Sequence, residues 1–449
     1  MNTPICDFVR EYSETGDMRL HMPGHKGRGI LGFEELDITE ITGADSLYEA
    51  DGIIRESERN ASALFGCDTF YSAEGSSLCI RAMLYLAVAG RFVKGERPLI
   101  LAGRNAHKTF LSAAALLDLD IMWLGSDSED SYLSCRFSAE TLERELSGAE
   151  RLPAAVYVTS PDYLGNIAPI EELAAVCKRH GVLLLVDNAH GAYLRFLQSS
   201  AHPIDLGADM CCDSAHKTLP VLTGGAYLHI SDSVAPKYSP MAKNAMALFG
   251  STSPSYLILQ SLDAANRYMA EGYAERLKSF SGKLMKFKAE LSRLGYSFCG
   301  DECMKLTFSA KPHGYTGTEL QSLLEEKGIM CEFADPDFLV LMFTPEISDD
   351  ELARLYAVLG SIPKREPIIA TPPRFHATER VMSVREAAFS TGETIPVEKS
   401  VGRVLAAASV GCPPAVPIVI CGEKIDSDAV ECFKYYGISS CTVVKESLI

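Results

Sequence analysis

The chain contains 449 residues, too many for one small hydrophobic core, which predicts two or three domains. Hydrophobic residues make up 47% of the chain and charged residues 22%, proportions that are typical of a globular protein. The formal net charge is −17 and no stretch of the chain is strongly basic. Because phosphate groups require lysine or arginine for neutralisation, this charge argues against a nucleic-acid partner.

The fourteen cysteines are scattered and do not predict a metal site. The most closely spaced pairs, Cys211–Cys212 and Cys299–Cys303, lack further ligand residues at a metal-binding spacing. The first twenty residues contain no apolar core of the signal-peptide kind. The most apolar region, 404–422, is interrupted by two adjacent prolines and does not predict a membrane helix. We therefore expect a reduced, cytoplasmic protein with no membrane partner.

Short apolar runs alternate with helix-like segments such as "SAETLERELSG" and "PIEELAAVCKRHG" in the middle of the chain. Continuously apolar strands separated by helices predict an α/β fold with a mainly parallel sheet covered on both faces. Ligands of such sheets bind beyond the carboxyl ends of the strands, so the polar residues that end these runs should converge on one rim. The six runs are residues 97–103, 119–125, 154–160, 182–190, 208–216 and 224–230.

The pattern changes after about residue 255, where a long helical stretch leads into a smaller αβ pattern and then a proline-rich linker. We expect an N-terminal segment (1–50), a large domain (51–262), a small α/β domain (263–362) and a C-terminal α/β module that includes the linker (363–449).

Gly75, Ser76 and Ser77 stand where an apolar stretch turns into a helix. Free N–H groups and small hydroxyls at a helix start can bind a phosphate group. Taken alone, however, a helix cap with no ligand explains these three residues better. His107, just past a strand, is similarly open: it could stack on a flat ring or be a hydrogen-bonded surface histidine.

Two residues at the ends of successive apolar runs change this balance. Asp187 ends a strongly apolar strand, where an unpaired carboxylate is costly, so it needs a protonated ring nitrogen, a metal or a lysine as its partner. Lys217 follows the next run, flanked by Ser214 and His216, which could reach a phosphate. An aspartate and a lysine in these positions are what a pyridoxal-phosphate site requires. The lysine forms a Schiff base, and the aspartate keeps the pyridinium nitrogen protonated.

Six motifs together resemble the Orn/Lys/Arg decarboxylase family of fold type I pyridoxal-phosphate enzymes, and the likeness covers most of the chain. The resemblance implies an aspartate-aminotransferase-like large domain with a mainly parallel seven-stranded sheet, plus smaller α/β C-terminal domains. The chain resembles the short form of the family, without the N-terminal wing domain. The motifs are "HMPGHKG", "RNAHKT", "TSPDYLG", "VDNAHGAYL", "DSAHKTLPVLTGGAYLHI" and "STSPSYLILQSLD".

The resemblance also implies roles for individual residues. Lys217 is the Schiff-base lysine, Asp187 pairs with the ring nitrogen, His107 stacks over the ring, and His190 lies beside the ring substituents. Thr252 and Ser253 reach the site of a neighbouring subunit, which implies a homodimer with its active site at the subunit interface. The implied phosphate cradle contains Gly75, Ser76, Ser77, Ser214 and His216.

The chain departs from the family pattern at several positions. Glu74 replaces the usual asparagine before Gly75, and Asn188 stands where a glutamate is commoner. The stretch "TGGAYLHI" is less polar than usual, and "GCPPAVP" loses a tyrosine and a glycine from the C-terminal signature. Glu423 matches the glutamate of that signature and is a candidate for holding the far cation of the substrate; an exposed loop glutamate explains it equally well.

We expect decarboxylation of a basic amino acid (arginine, lysine or ornithine) to the corresponding amine, with Lys217 or His107 returning a proton to Cα. Transamination or elimination by the same cofactor is an alternative. Aminotransferases of this fold bind the substrate carboxylate with an arginine of the small domain, and residues 328–343 contain none. A catalytically idle regulatory relative is a second alternative, which the intact Lys217, Asp187, His107 and His190 argue against.

Overall fold

A computed structural model describes residues 1–91, 95–126, 131–374, 376–407 and 415–445. The chain forms two compact units, each built from two separate stretches of sequence. Unit 1 comprises residues 1–91 and 170–278, and unit 2 comprises residues 92–169 and 279–449. The four consecutive segments expected from the sequence stay a prediction.

The helices and strands alternate through the first half of the chain, as the apolar runs predict. The α-helices are α1 (Pro4–Glu14), α2 (Ile53–Phe65), α3 (Gly75–Val88), α4 (Lys108–Leu117), α5 (Ala139–Gly148), α6 (Ile170–His180), α7 (Ala215–Thr218), α8 (Ala235–Ala247), α9 (Tyr256–Ala270), α10 (Tyr273–Arg293), α11 (Gly317–Glu325), α12 (Asp349–Ser361), α13 (Val384–Ala388) and α14 (Ser427–Tyr435). The strands are β1 (Asp68–Ser72), β2 (Leu99–Gly103), β3 (Asp120–Leu124), β4 (Ala155–Thr159), β5 (Leu183–Asp187), β6 (Met210–Asp213), β7 (Ala226–Ile230), β8 (Ser297–Cys299), β9 (Lys305–Ser309), β10 (Phe333–Ala334), β11 (Phe338–Met342), β12 (Gly392–Pro396) and β13 (Ser440–Val444).

Seven strands form one sheet in the order β1-β7-β6-β5-β4-β2-β3. Strand β2 pairs in parallel with β3 and β4, and β5 with β6, whereas β7 runs antiparallel to β1 and β6. Strands β5 and β6 are almost wholly buried, as parallel strands covered on both faces should be. The predicted α/β fold with a mainly parallel seven-stranded sheet is therefore confirmed.

Two smaller antiparallel sheets belong to the second half of the chain. One has the order β10-β11-β9-β8, and the other pairs β12 with β13. Their helices begin at sequence-encoded caps: Ser348 and Glu351 form a capping box at α12, as Thr316 and Glu319 do at α11. Within the described part of the chain, no helix is long and apolar enough to cross a membrane.

Candidate active site

The ends of β5 and β6 bring the two predicted cofactor residues of unit 1 to one edge of the sheet. These strands are parallel, with Asp187 in register with Cys212. Asp187 is the last residue of β5, and Lys217 lies in the single turn of α7 that follows β6. The residues of β5 before Asp187 are apolar. Because parallel strands end at the same edge of a sheet, Asp187 and the residues that follow β6 lie at one edge.

Lys217 lies in direct contact with a second predicted residue. Its Nζ is 3.1 Å from Nε2 of His190, and the His190 side chain is buried. A lysine is a nucleophile only when it is neutral, and an imidazole nitrogen within hydrogen-bond distance can take or return its proton. Sequence reasoning predicted both residues at the site, and the structure brings them together.

Asp187 is only 2% exposed. Its Oδ1 accepts a hydrogen bond from the backbone N–H of Ala189 (3.2 Å) and a weaker one from the Cys212 thiol (3.7 Å). A protonated ring nitrogen would form a charge-assisted hydrogen bond with this buried carboxylate.

The start of α3 and the segment before Lys217 supply the groups predicted for a phosphate cradle. Gly75 has φ +70° and donates its N–H to the carbonyl of Gly224 (2.6 Å). The Ser214 hydroxyl donates to Oγ of Ser76 (2.8 Å), so hydroxyls from two separate elements meet. Apart from Gly75, its chain neighbours and the backbone of its own helix, no atom of the described residues lies within 4 Å of the position that a Gly75 Cβ would take, which leaves open space at the cradle. These observations fit a bound phosphate, with Ser77 one residue further along α3.

His216 has a defined hydrogen-bonding pattern. Its Nδ1 donates to the carbonyl of Gly225 (3.0 Å). Burial lowers the pKa of His216, and the neighbouring charge of Lys217 lowers it further. Its Nε2 would thus donate to a phosphate only in the protonated form, which the phosphate charge itself favours.

The departure at Glu74 has a structural explanation. Its carboxylate accepts the backbone N–H of Ser251, so it points to the 251–253 loop. Thr252 and Ser253 are exposed on that loop, and their reach into a neighbouring subunit stays a prediction.

A buried network behind the site was missed by sequence reasoning. Asp213 is fully buried and accepts three hydrogen bonds, from Asn188 Nδ2 (2.7 Å), His202 Nε2 (3.1 Å) and His229 Nε2 (3.2 Å). Burial alone would raise the pKa of Asp213, but the two histidines hold it well below its usual range. The network also explains Asn188: an amide donates to Asp213, whereas the usual glutamate would place a second carboxylate against it.

His107 belongs to unit 2, where it caps α4. Its Nδ1 accepts the backbone N–H of Thr109 (3.1 Å), which fixes the ring at the helix start and leaves the proton of the neutral ring on Nε2. The next residue, Lys108, donates its N–H to the carbonyl of Ala415 (2.8 Å). Stacking of His107 over a cofactor ring stays a prediction.

Glu423 is not an exposed loop residue: it is 2% exposed and forms an ion pair with Arg104. The guanidinium donates to both carboxylate oxygens, at 3.0 and 2.7 Å. Oε2 also accepts from Thr378 Oγ1 and the Ile420 N–H. A role for Glu423 in holding the substrate cation would require exchange of this pair and stays a prediction. The first residues of the "GCPPAVP" motif, 411–414, lie outside the described residues.

Comparisons with known proteins identify the family of this chain. The family model "Orn/Lys/Arg decarboxylase, major domain" matches residues 3–299. The chain is 28% identical to an arginine decarboxylase of Halalkalibacterium halodurans, over 94% of this chain and 91% of that protein. It is 27% identical to an arginine decarboxylase of Bacillus subtilis, over 95% and 92%.

Solved structures share the fold. The lysine decarboxylase of Francisella novicida superposes with a TM-score of 0.80 at 17% identity, covering 99% of this chain and 81% of that one. The constitutive lysine decarboxylase of E. coli superposes with a TM-score of 0.74 at 18% identity, covering 99% and 82%. The chain therefore belongs to the Orn/Lys/Arg decarboxylase family, the pyridoxal-phosphate enzymes that decarboxylate basic amino acids.

Proposed function

We propose that this protein decarboxylates arginine and that Lys217 is the residue to which pyridoxal phosphate attaches. The observation that carries the site assignment is the 3.1 Å contact between Lys217 Nζ and His190 Nε2, at the sheet edge where Asp187 also emerges. The choice of arginine is supported by relatives named arginine decarboxylase that match over more than nine-tenths of this chain. The lysine decarboxylase of Pseudomonas aeruginosa matches over 61% of it.

When bound, the cofactor supplies an electron sink for the electron pair left behind as CO2 departs. The residues of the chain do the rest. The Asp187 carboxylate favours the protonated form of the ring nitrogen, and its burial strengthens that interaction. Ser76, Ser214 and the Gly75 turn orient the phosphate.

Proton movement falls to the Lys217–His190 pair. With the substrate bound in place of Lys217, the Nζ of that lysine would be available to hold the proton that is returned to Cα. His190, hydrogen-bonded to that nitrogen, shares the proton and keeps Nζ oriented. His107 is the alternative proton donor.

We further infer that the protein acts as a homodimer, with Thr252 and Ser253 contributing to the neighbouring site, and that it serves polyamine formation in the cytoplasm. The described cysteines form no disulfide, which suits a reducing compartment. Mixing a Lys217→Ala chain with a Thr252→Ala, Ser253→Ala chain tests the shared site. Activity restored in mixed dimers supports it, and mixtures that stay as inactive as both parents contradict it.

The experiment that tests the function combines absorption spectroscopy with CO2 trapping. The purified protein is supplied with pyridoxal phosphate and then with arginine, lysine or ornithine separately. We expect a cofactor band that Lys217→Ala abolishes, and CO2 from arginine in preference to the other two. CO2 from lysine or ornithine alone would overturn the choice of arginine, and a band without CO2 from any of them would overturn the reaction.

A further inference from the structure

Unit 2 contains a cavity of about 570 Å³ that none of the predicted site residues lines. Its walls come from the β10–β11 hairpin, from α14 and from β12 and β13, with Tyr132 on one side. Cavities of a few hundred cubic ångströms with mainly apolar walls and a few polar groups are typical of small-molecule sites.

Aromatic side chains form part of the cavity walls. Phe333, Phe433, Tyr435, Tyr436 and Tyr132 all line the cavity. The ring centroids of Tyr132 and Tyr436 lie 4.7 Å apart, and those of Tyr435 and Tyr436 lie 5.0 Å apart, so the three tyrosine rings form one cluster. Aromatic faces carry negative electrostatic potential and attract cations.

Asp335 is the only charged residue among the described residues that line this cavity. It is 6% exposed, and its Oδ1 accepts the backbone N–H groups of Asp337 and Phe338, both at 2.7 Å. Its Oδ2 is buried with no hydrogen-bond partner among the described residues. Burial raises the pKa of Asp335 to about 6, the nearby Asp337 charge acts in the same direction, and the Lys311 charge offsets only part of the rise.

The neighbouring carboxylate provides an internal comparison. Asp337 forms an ion pair with Lys311 and accepts a hydrogen bond from the Tyr435 hydroxyl (2.8 Å). The Lys311 ammonium also lies 5.1 Å from the centroid of the Tyr435 ring. The Lys311 ammonium thus lies beside the cavity, where it contacts the Asp337 carboxylate and the Tyr435 ring. No described residue supplies an ion-pair partner for Asp335.

We propose that this cavity binds an organic ammonium ion, with Asp335 as its counter-ion and the tyrosine cluster as its cation-binding wall. The apolar remainder of the cavity suits a flexible alkyl chain. The choice of a linear amine of the kind formed by basic-amino-acid decarboxylation rests on the proposed function, whereas the preference for a cation stands on the cavity alone. A second site for the product class would let the amine bind without competing for the catalytic lysine.

Calorimetric titration of the full-length, cofactor-loaded protein with 1,5-diaminopentane and with agmatine tests the proposal. Amine that reaches the catalytic site perturbs the cofactor absorption, so heat released without an absorption change reports the cavity. We expect Asp335→Asn to weaken this component at least tenfold, because the amide keeps both backbone hydrogen bonds but loses the charge. Tyr436→Leu should weaken it several-fold as an independent variant.

Matched controls make the result decisive. Asp350→Asn removes one exposed carboxylate elsewhere and should leave the titration unchanged. The diol 1,5-pentanediol has the same length without charge and should not bind. Equal affinity in Asp335→Asn and the parent protein, or equal binding of the diol, would overturn the proposal. Since calorimetry needs no turnover, the answer is independent of whether arginine is decarboxylated.

Discussion

Two buried carboxylates, one in each unit, show opposite electrostatic behaviour. Asp213 accepts hydrogen bonds from Asn188, His202 and His229, and its pKa is held low despite burial. Among the described residues Asp335 accepts from two backbone N–H groups alone, and burial raises its pKa to about 6. The supply of donors, not the depth of burial, decides the direction in which each carboxyl pKa shifts. Asp213, whose donors all come from the protein, has a structural role. Asp335, whose Oδ2 has no hydrogen-bond partner among the described residues, is the carboxylate that we propose as a ligand counter-ion.

Lys217→Ala tests the functional side of this comparison and has the largest expected effect. The substitution removes the nucleophilic amine, so CO2 release should fall below detection. The hydrogen bonds of Asp213 do not involve Lys217, so the fold should remain intact. Radiolabelled substrate with CO2 trapping measures the loss, and thermal unfolding is the control. Lys26→Ala, an exposed-loop lysine that also follows a histidine, should retain activity.

Glu423→Gln extends the comparison to a carboxylate whose partner is a charge. Removal of one member of a buried ion pair leaves Arg104 uncompensated, which costs about 3–5 kcal/mol of stability. Urea unfolding measures the loss. A variant that keeps its stability but shows a raised KM would instead support contact between Glu423 and the substrate cation.

The pH dependence of stability sharpens the contrast at Asp335. Its folded-state pKa of about 6 lies above the unfolded value, so the folded protein binds the proton more tightly. Its contribution to stability is therefore present below pH ~4 and is lost as the pH rises to about 6, by about 3 kcal/mol at most. Asp335→Asn should remove this component. Identical pH profiles of unfolding free energy for the two proteins would contradict the raised pKa.

Asp213→Asn has the smallest expected effect. The amide can still accept from one or two neighbours, so we expect a loss of about 1–3 kcal/mol. Because the pKa of Asp213 is depressed, its stabilisation is present above pH ~4 and is lost as the pH falls below that value. Urea titrations at two pH values measure this, and an increase in stability would show that the network is strained.

The amino-acid sequence was sufficient to predict the mainly parallel sheet and the position of Asp187 at a strand end. Runs such as "LLLVD" are apolar up to their last residue, so the hydrophobic pattern alone places Asp187 at a strand end. Lys217 was predicted from its place after the next apolar run, whereas His190 was predicted only from the resemblance to the family; the structure places the two side chains in contact.

The remaining features depend on contacts that leave no local pattern. His202 lies in an irregular segment, and its pairing with Asp213 depends on how that segment returns to β6. In the sequence Asp335 is indistinguishable from an ordinary turn aspartate. Only the folded structure shows that its Oδ2 is buried without a hydrogen-bond partner among the described residues and that it lines a cavity. The pair of Arg104 and Glu423 joins residues 319 apart in sequence.

That separation has a consequence for how the protein is made. During synthesis Arg104, directly after β2, emerges long before Glu423, so their ion pair cannot form until residue 423 has been translated. Contacts between residues so far apart in sequence form slowly, because the entropy cost of closing the loop precedes the favourable contact. Loss of the segment that contains Glu423 would remove the carboxylate that pairs with Arg104, even though every residue of the proposed lysine site is still present.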